Sequence, residues 1–294
     1  MKTSKTIAII GATGRLALPV IHELILQGFQ VQAIVRDLEK AKKVLPPAVI
    51  LTKGEVSNIP SLVKGLKGAD FVYINLSSDE VNPNQNFYTE REGIKNIVEA
   101  CQLTGIQQIL KISALGAYPS VKYAKEILQN QIRRQGHQFI EQSHIPFTIF
   151  HPTWFLDTIF WAIKKDTLQW IGKPVGFYWT NSADYAKQVV AAIGNPVAYN
   201  KHYAVQGAEK LDYHQVFEKL KVSSHPNLKL QVMPLWLVQF LGIFMPKMKH
   251  LAQLFGFYEQ INEQFYAQNT WDDLGKPVKT SQVSHKNLTV FENL

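Results

Sequence analysis

Residues 6–37 read TIAIIGATGRLALPVIHELILQGFQVQAIVRD, and this stretch decides the fold. Its first five residues, Thr6–Ile10, are apolar and rich in β-branched side chains, which predicts a strand buried on both faces. A glycine-containing turn follows, and then an apolar pattern with helical spacing that stops at Gly28. A second apolar run, Val31–Val35, comes directly afterwards. The stretch is therefore predicted to form a strand, a glycine turn, a helix and a second strand.

The turn carries small residues at the spacing G-x-x-G-x-x-A. Gly11 permits the tight turn, Gly14 lets the backbone approach a pyrophosphate, and Ala17 lets the helix pack against the strand. Free N–H groups at the start of the helix then face the anion. The alternative is a glycine turn in a βαβ protein without a ligand. We expect these loop residues to contact a nucleotide cofactor: Gly11, Thr13, Gly14, Arg15 and Leu16.

Arg36 follows the second strand, where an NAD-binding protein usually has an acidic residue that holds the ribose 2′-hydroxyl. A guanidinium there suits a 2′-phosphate, because it can donate two hydrogen bonds to the phosphate oxygens. Arg15, inside the glycine loop, is placed to support the same phosphate. The sequence therefore predicts NADP (NADPH) as the cofactor in preference to NAD.

Strands and helices continue to alternate after Asp37, which predicts an α/β fold of the Rossmann type with a doubly wound parallel sheet. We expect a long helix over 86–104 and further strands at 48–52, 71–76, 107–112 and 147–152. The ligand crevice of such a sheet lies at the carboxyl ends of the strands. Residues that follow these strands are predicted to lie on the cofactor side: Asn75, Leu76, Ser77, Ser78 and Ser113.

Length and composition limit the number and size of the domains. The 294 residues, of which 46% are hydrophobic, suffice for one large domain with an appendage. We predict an NAD(P)-binding Rossmann domain over residues 1–150. Residues 151–294 are predicted to form a smaller C-terminal α/β substrate domain that is interleaved with the core sheet.

The cysteine, charge and histidine content indicates the compartment and the partners of the protein. The single cysteine, Cys101, fits a reducing cytoplasm and lies in an apolar helical pattern, so we expect a buried thiol. We expect no signal peptide and no transmembrane segment, and a cytoplasmic location. The net charge of +8 comes from scattered lysines, which favours a polyanionic small ligand over nucleic acid as the partner. The nine histidines are dispersed without zinc-type spacing, so no metal site is expected.

Several blocks come in a fixed order along the chain: GATGRLA (11–17), VQAIVRD (31–37), GEVSNIPSLVKGLKGADFVY (54–73), KISALGA (111–117), SHIPFTIFHPTWF (143–155), NSADYA (181–186) and YAVQG (203–207). Together they resemble the NmrA-like, atypical branch of the short-chain dehydrogenase/reductase superfamily. Residues 143–155 are similar to that family's SGIPYTILRPTWF segment, except that His151 replaces the arginine before proline. The resemblance covers about residues 5–220.

The resemblance implies an NAD(P)H cofactor in the crevice. Glu55 would lie near the adenine, Asn75 to Ser77 beside the adenosine, and Ser113 beside the nicotinamide ribose. The family contains NADPH-dependent reductases and also cofactor-sensing regulators. Two functions therefore stay open: an NADPH-dependent reductase that transfers hydride to an apolar quinone, carbonyl or enone, and a non-catalytic NADP sensor that acts through a protein partner.

The sequence assigns no proton donor. Typical superfamily members use a Tyr-x-x-x-Lys pair on the helix after the fifth strand. Tyr118 and Lys122 have that spacing, but they fall in a loop that contains Pro119. We expect a surface loop near the mouth of the pocket, with a catalytic pair as the alternative.

Reductases of the atypical branch often carry a lysine or histidine on this helix, one turn before a glutamate. The corresponding positions hold Arg134 and Gln138. His137 and Glu141 have the same spacing at displaced positions, and we expect them on a solvent-facing side of the helix. His137 is kept as a catalytic candidate beside Tyr118.

Aromatic residues follow the predicted sixth strand. We expect Trp154 and Phe155 to line a pocket for a small, flat, apolar substrate. Residues 233–258 are strongly apolar. They are predicted to form two short helices that close this pocket; the alternatives are a peripheral membrane contact and a subunit contact.

Overall fold

The computed structural model describes residues 5–76, 85–122, 126–223 and 225–277. Seven parallel strands form the central sheet: β1 (Thr6–Ile10), β2 (Gln30–Val35), β3 (Ile50–Lys53), β4 (Phe71–Ile74), β5 (Gln108–Ile112), β6 (Phe147–Pro152) and β9 (Lys201–Val205). Their spatial order is β3-β2-β1-β4-β5-β6-β9. The order reverses between β1 and β4, where a doubly wound sheet binds its ligand. The predicted Rossmann-type α/β fold is confirmed.

Helices cover both faces of this sheet. One face carries α1 (Ala17–Leu26), α2 (Leu38–Val44), α7 (Ser182–Ala192) and α11 (Gln268–Leu274), and the other carries α3 (Ile59–Leu66), α4 (Ile94–Thr104) and α5 (Leu128–Glu141). Successive side chains of a strand point to opposite faces. In β1, Ile7 and Ile9 therefore enter one core, whereas Ala8 and Ile10 enter the other.

A second, smaller lobe follows β6. Its sheet places β8 (Thr167–Ile171) between β7 (Ile163–Lys164) and β10 (Lys229–Met233). Four helices accompany it: α6 (Asp157–Trp161), α8 (Tyr213–Ser223), α9 (Leu235–Leu241) and α10 (Pro246–Tyr258). Its core is rich in aromatic side chains, among them Trp170, Phe177 and Trp179. Because α7 and β9 return to the central sheet, the chain after residue 150 contributes to both lobes.

One predicted helix and one predicted strand differ from the structure near the glycine loop and the interior of the sheet. The helix predicted over 86–104 is replaced in its first part by a single π-helical turn, Thr89–Gly93, and α4 then ends before Gly105, whose φ is 71°. The π turn brings Glu90 into the interior, where it is 1% exposed. The strand predicted over 71–76 stops at Ile74, and Asn75 lies beside the glycine loop, where its side chain donates to the Gly11 carbonyl.

Cys101 is buried in α4, as predicted, and burial raises the pKa of its thiol. Among the described residues, no helix combines the length and the apolar character that a bilayer span needs.

Candidate cofactor and substrate site

The loop between β1 and α1 turns at Gly11, whose backbone is left-handed with φ 83°. A Cβ atom at this position would collide with the backbone oxygen of Asn75, so only glycine fits. Within the loop, the Gly14 N–H donates to the Gly11 carbonyl (3.1 Å) and the Ala17 N–H donates to the Gly14 carbonyl (2.9 Å). Asn75 Nδ2 also donates to the Gly11 carbonyl (3.2 Å). The end of β4 thus holds the glycine loop in one conformation.

A cavity of about 550 Å³, called the first cavity below, lies along the carboxyl ends of β1, β2 and β4. Its volume falls within the range of roughly 300–1,000 Å³ that is typical of small-molecule sites. Arg15 is exposed on the adjoining loop, and Ser77 and Ser78 lie outside the described residues. The other residues predicted to hold the adenosine side of a cofactor line this cavity: Gly11, Thr13, Gly14, Arg36, Glu55, Asn75 and Leu76.

Two cations line the first cavity at the end of β2. Arg36 and Lys40 are both exposed in its wall. Asp37 lies between them in sequence, and its carboxylate caps α2 by accepting a hydrogen bond from the Lys40 N–H (3.0 Å). The Asp37 carboxylate is therefore engaged by its own helix. A guanidinium and an ammonium at one site suit a phosphate group better than a ribose hydroxyl.

A second cavity of about 220 Å³ lies at the carboxyl ends of β5 and β6. The predicted residues Leu16, Ser113, Trp154 and Phe155 line it. The opposite wall comes from α10 and the segment after it: Leu254, Tyr258, Ile261 and Glu263. The rings of Trp154 and Tyr258 are in contact, with centroids 5.0 Å apart. Because Gly14 lines the first cavity and Leu16 the second, the two cavities meet near the start of α1.

Two residues that line the second cavity carry buried hydrogen-bond donors that have no partner among the described residues. Neither Ser113 Oγ nor Trp154 Nε1 makes a hydrogen bond within the described part of the chain. A buried donor that stays unsatisfied costs about 1–3 kcal/mol. Most of the surrounding wall is apolar. The arrangement therefore suits a ligand that is largely apolar and carries oxygen acceptors.

Glu263 is a wall residue that the sequence did not indicate. Its carboxylate is 5% exposed and accepts hydrogen bonds from Thr153 Oγ1 (2.7 Å) and Gln206 Nε2 (2.6 Å). Burial raises the pKa of this carboxyl above its ordinary value, although the hydrogen bonds act in the opposite direction. The Thr153 contact joins residues 110 positions apart, so only tertiary structure could reveal it. Burial likewise raises the pKa of Tyr258 in the same wall.

Tyr118 and Lys122 lie in a loop, as expected from their spacing to Pro119. Tyr118 directly follows a short 3₁₀ turn at Leu115–Ala117, and Lys122 is exposed ahead of α5. Neither residue lines the first or the second cavity. Burial raises the pKa of Tyr118, whose ring lies 5.3 Å from that of His151. The structure therefore does not place this pair as the proton-donating pair of a typical superfamily member.

The prediction that His137 faces solvent is wrong. His137 is 2% exposed, because α5 turns this side chain towards β6 and β9. One ring nitrogen from each of His137, His151 and His202 lies within 4.8 Å of the others. The histidines are thus dispersed in sequence but three of them meet in space, which the spacing could not show. Glu141, on the same helix, is 41% exposed and contacts His202 (3.2 Å).

A buried ionic cluster lies on the same side of the sheet. Lys111 Nζ contacts Glu90 Oε2 (2.6 Å) and donates to the carbonyl of Ile112 (2.8 Å), while Arg133 Nε lies 3.5 Å from Glu90 Oε1. The backbone at Gly136 comes so close to Glu90 that a Cβ would collide with its carbonyl oxygen. This close approach packs α5 against the π turn. Burial lowers the pKa of Lys111.

The glycine loop, the cation pair and the two cavities agree with the comparison of this sequence with known families. Residues 11–196 match a family model described as NAD(P)H-binding. The chain belongs to this NAD(P)H-binding family. The predicted resemblance to NmrA-like, atypical short-chain dehydrogenase/reductases is thereby confirmed.

The individual relatives have low sequence identity to this chain but align with most of its length. A photosystem II assembly factor from Cyanophora paradoxa is 21% identical, over 98% of this chain and 90% of the relative. An NAD(P)H azoreductase from Xenophilus azovorans is 24% identical, over 74% of this chain and 73% of the relative. The crystal structure of an NADPH-dependent quinone oxidoreductase from Escherichia coli in complex with NADPH superposes with a TM-score of 0.74 at 17% identity, covering 96% of this chain and 98% of that one. The superposition shows that this chain and the oxidoreductase share a fold.

Proposed function

We propose that this protein is an NADPH-dependent reductase that transfers hydride to a small, flat, apolar acceptor bearing an oxygen, such as a quinone, a carbonyl compound or an enone. The observation that carries the proposal is the second cavity, which is apolar yet holds two unsatisfied donors, Ser113 Oγ and Trp154 Nε1. Structural relatives named as quinone and dye reductases support it.

In this proposal each part of the site has one task. Backbone N–H groups of the glycine loop bind the pyrophosphate, and Arg36 with Lys40 binds the 2′-phosphate. Ser113 holds the nicotinamide end beside the second cavity, and Trp154 orients the acceptor by donating a hydrogen bond to its oxygen. NADPH, when bound, supplies the hydride. The protein contributes orientation and a dry environment.

The size of the second cavity limits the acceptor. At about 220 Å³ it is smaller than typical sites for drug-sized ligands. We therefore expect a one-ring acceptor to be preferred over a polycyclic one. The proton that completes the reduction has two sources in this proposal: water, or the carboxyl of Glu263, whose raised pKa favours its protonated form in the cavity wall.

The test is NADPH oxidation by purified protein with p-benzoquinone, menadione and a set of enones and aldehydes. We expect turnover that is fastest with one-ring acceptors. Trp154→Phe removes one donor and should lower kcat/KM by about 2–10-fold, which corresponds to the roughly 0.5–1.5 kcal/mol of one hydrogen bond. The control Trp236→Phe, at an exposed position of α9, should leave kcat/KM unchanged.

The competing function is a non-catalytic sensor of NADP. It predicts tight NADPH binding without oxidation across the whole acceptor panel, and that result would reject the reductase. The open second cavity favours the reductase, since a sensor needs no room for an acceptor beside the nicotinamide.

We also propose that the protein meets a membrane surface through α9 and the turn after it. Trp236 and Phe244 are 67% and 73% exposed, and the exposed Lys247 and Lys249 follow directly. Apolar side chains flanked by lysines suit the interface of an anionic bilayer, where apolar quinones dissolve.

Sedimentation with phosphatidylglycerol-containing vesicles tests this membrane contact. We expect Trp236→Ser with Phe244→Ser to abolish cosedimentation, whereas Leu26→Ser, which removes a side chain 77% exposed on α1, should not affect it. Wild-type protein that stays in the supernatant, or that dimerises through this face, would contradict the membrane contact.

A further inference from the structure

The three clustered histidines come from three different elements. His137 lies on α5, His151 on β6 and His202 on β9. One nitrogen of each ring lies within 4.8 Å of the others, and the ring centroids are 5.2–5.9 Å apart. His137 and His151 are at most 2% exposed. The cluster is separate from the walls of the first and second cavities.

The hydrogen bonds of the cluster determine which ring nitrogens carry protons, and they leave lone pairs at its centre. His151 Nδ1 lies 3.1 Å from the carbonyl oxygen of Ala114, and His202 Nε2 lies 3.2 Å from the carboxylate of Glu141. Both oxygens can only accept hydrogen bonds, so His151 Nδ1 and His202 Nε2 each carry a proton. The inner nitrogens, His151 Nε2 and His202 Nδ1, then face one another at 2.9 Å, each with a lone pair.

A third nitrogen is also unsatisfied. His137 Nε2 is buried and makes no hydrogen bond within the described residues. Two facing lone pairs and one unpartnered buried nitrogen require a cation among them, either an extra proton or a metal ion. A proton joins two of the three nitrogens, whereas a metal ion satisfies all three.

We propose that His137, His151 and His202 bind one divalent transition-metal ion of the zinc type. Zinc holds imidazole nitrogens at about 2.0–2.1 Å, which places tetrahedral ligands roughly 3.3–3.4 Å apart. The 2.9 Å pair has to open slightly. The remaining nitrogen, at most 4.8 Å away, has to approach by about 1–1.5 Å, within reach of side-chain rotation.

The surroundings fit such an ion. Metal-binding histidines commonly donate their second N–H to a carboxylate or a backbone carbonyl, and Glu141 and Ala114 supply one of each. Glu90 pairs with Lys111 and Arg133, the two cations near the cluster. The 41% exposed Glu141 and the partly exposed His202 mark the side from which an ion would enter.

The expected effect of the ion is mechanical. It would tie α5 to β6 and β9, immediately before Pro152 and Thr153, which line the second cavity. Metal binding to the folded chain should therefore raise its melting temperature. The proposal does not depend on the reductase function.

The test uses metal-free wild-type protein, prepared by dialysis against a chelator. It is titrated with Co²⁺ while visible absorption is recorded, and Zn²⁺ is then added to displace the Co²⁺. We expect one equivalent per chain, a tetrahedral Co²⁺ spectrum and a higher melting temperature with Zn²⁺. Wild-type protein that takes up no stoichiometric Co²⁺ or Zn²⁺ would overturn the proposal, and this result needs no variant.

Variants locate the site. His202→Ala should reduce affinity at least 100-fold, and Glu141→Gln about 10–100-fold, the range for partners of metal ligands. His22→Ala, which changes an exposed histidine of α1, is the control and should bind as wild type does. Circular dichroism checks that each variant is folded. Uptake that is equal in wild type and in folded His202→Ala and Glu141→Gln would place the ion elsewhere and overturn the assignment.

Discussion

Replacing Arg36 with serine removes one of the two cations at the end of β2 in the first cavity. A hydrogen bond to a charged group contributes about 1.5–3 kcal/mol. Arg36 is exposed to solvent and Lys40 remains beside it, so we take the lower part of this range, about 1.5–2 kcal/mol. That loss corresponds to an increase of roughly 10–30-fold in the Kd for NADPH.

Comparing NADPH with NADH makes the effect of Arg36→Ser specific to the 2′-phosphate. NADH lacks the 2′-phosphate, so its Kd should change by less than about twofold. Both constants can be measured by energy transfer from tryptophan to the nicotinamide, because Trp154 lies in the wall of the second cavity. Lys43→Ser is the control, since Lys43 is exposed on α2 but does not line the first cavity.

Salt gives an independent check of the same reasoning. Because the contact is between exposed charges, the preference of wild type for NADPH should shrink as ionic strength rises. Equal weakening of NADPH and NADH by Arg36→Ser would refute the assignment of Arg36 to the 2′-phosphate.

Three further changes test other parts of the site. Gly14→Ala places a Cβ 2.6 Å from Asn75 Nδ2, so the loop or Asn75 must shift; we expect at least tenfold weaker NADPH binding in titrations, whereas Gly256→Ala in α10, which meets nothing closer than 3.6 Å, should bind normally. Leu254→Ala enlarges the second cavity and should raise kcat/KM for two-ring quinones relative to p-benzoquinone; an unchanged ratio would show that this wall does not limit the acceptor. Glu263→Gln removes a carboxyl whose pKa in the folded state is raised by burial. The free energy of unfolding of the wild type should therefore fall as pH rises from about 4.5 through the folded-state pKa. The variant should lack this pH-dependent fall when both proteins are unfolded with urea at several pH values. Parallel pH curves for both proteins would contradict the raised pKa.

The positions of Gly11, Gly14 and Arg36 along the first cavity could be predicted because these residues are close in sequence. Gly11 and Gly14 are three residues apart, and Arg36 directly follows β2, so a strand-turn-helix-strand pattern is enough to place them. Asn75 could be placed too, since it follows the strand beside β1. Periodicity and glycine spacing report such short-range order well.

The rest depended on tertiary contacts. His151 and His202 are 51 positions apart and meet only because β6 and β9 are neighbours in the sheet. The burial of His137 does not follow from the sequence, because helical spacing shows which residues share a face of the helix but not which face the sheet covers. Glu263 lies in an irregular segment after α10, where no periodic pattern exists to indicate burial.

The boundary of the family match has an evolutionary consequence. The match ends at residue 196, whereas Leu254, Tyr258 and Glu263 form one wall of the second cavity. These wall residues lie outside the matched region, whereas the glycine loop lies wholly inside it. Changes in the last quarter of the chain would therefore alter which molecules the second cavity admits, while descendants inherit the nucleotide-binding loop unchanged.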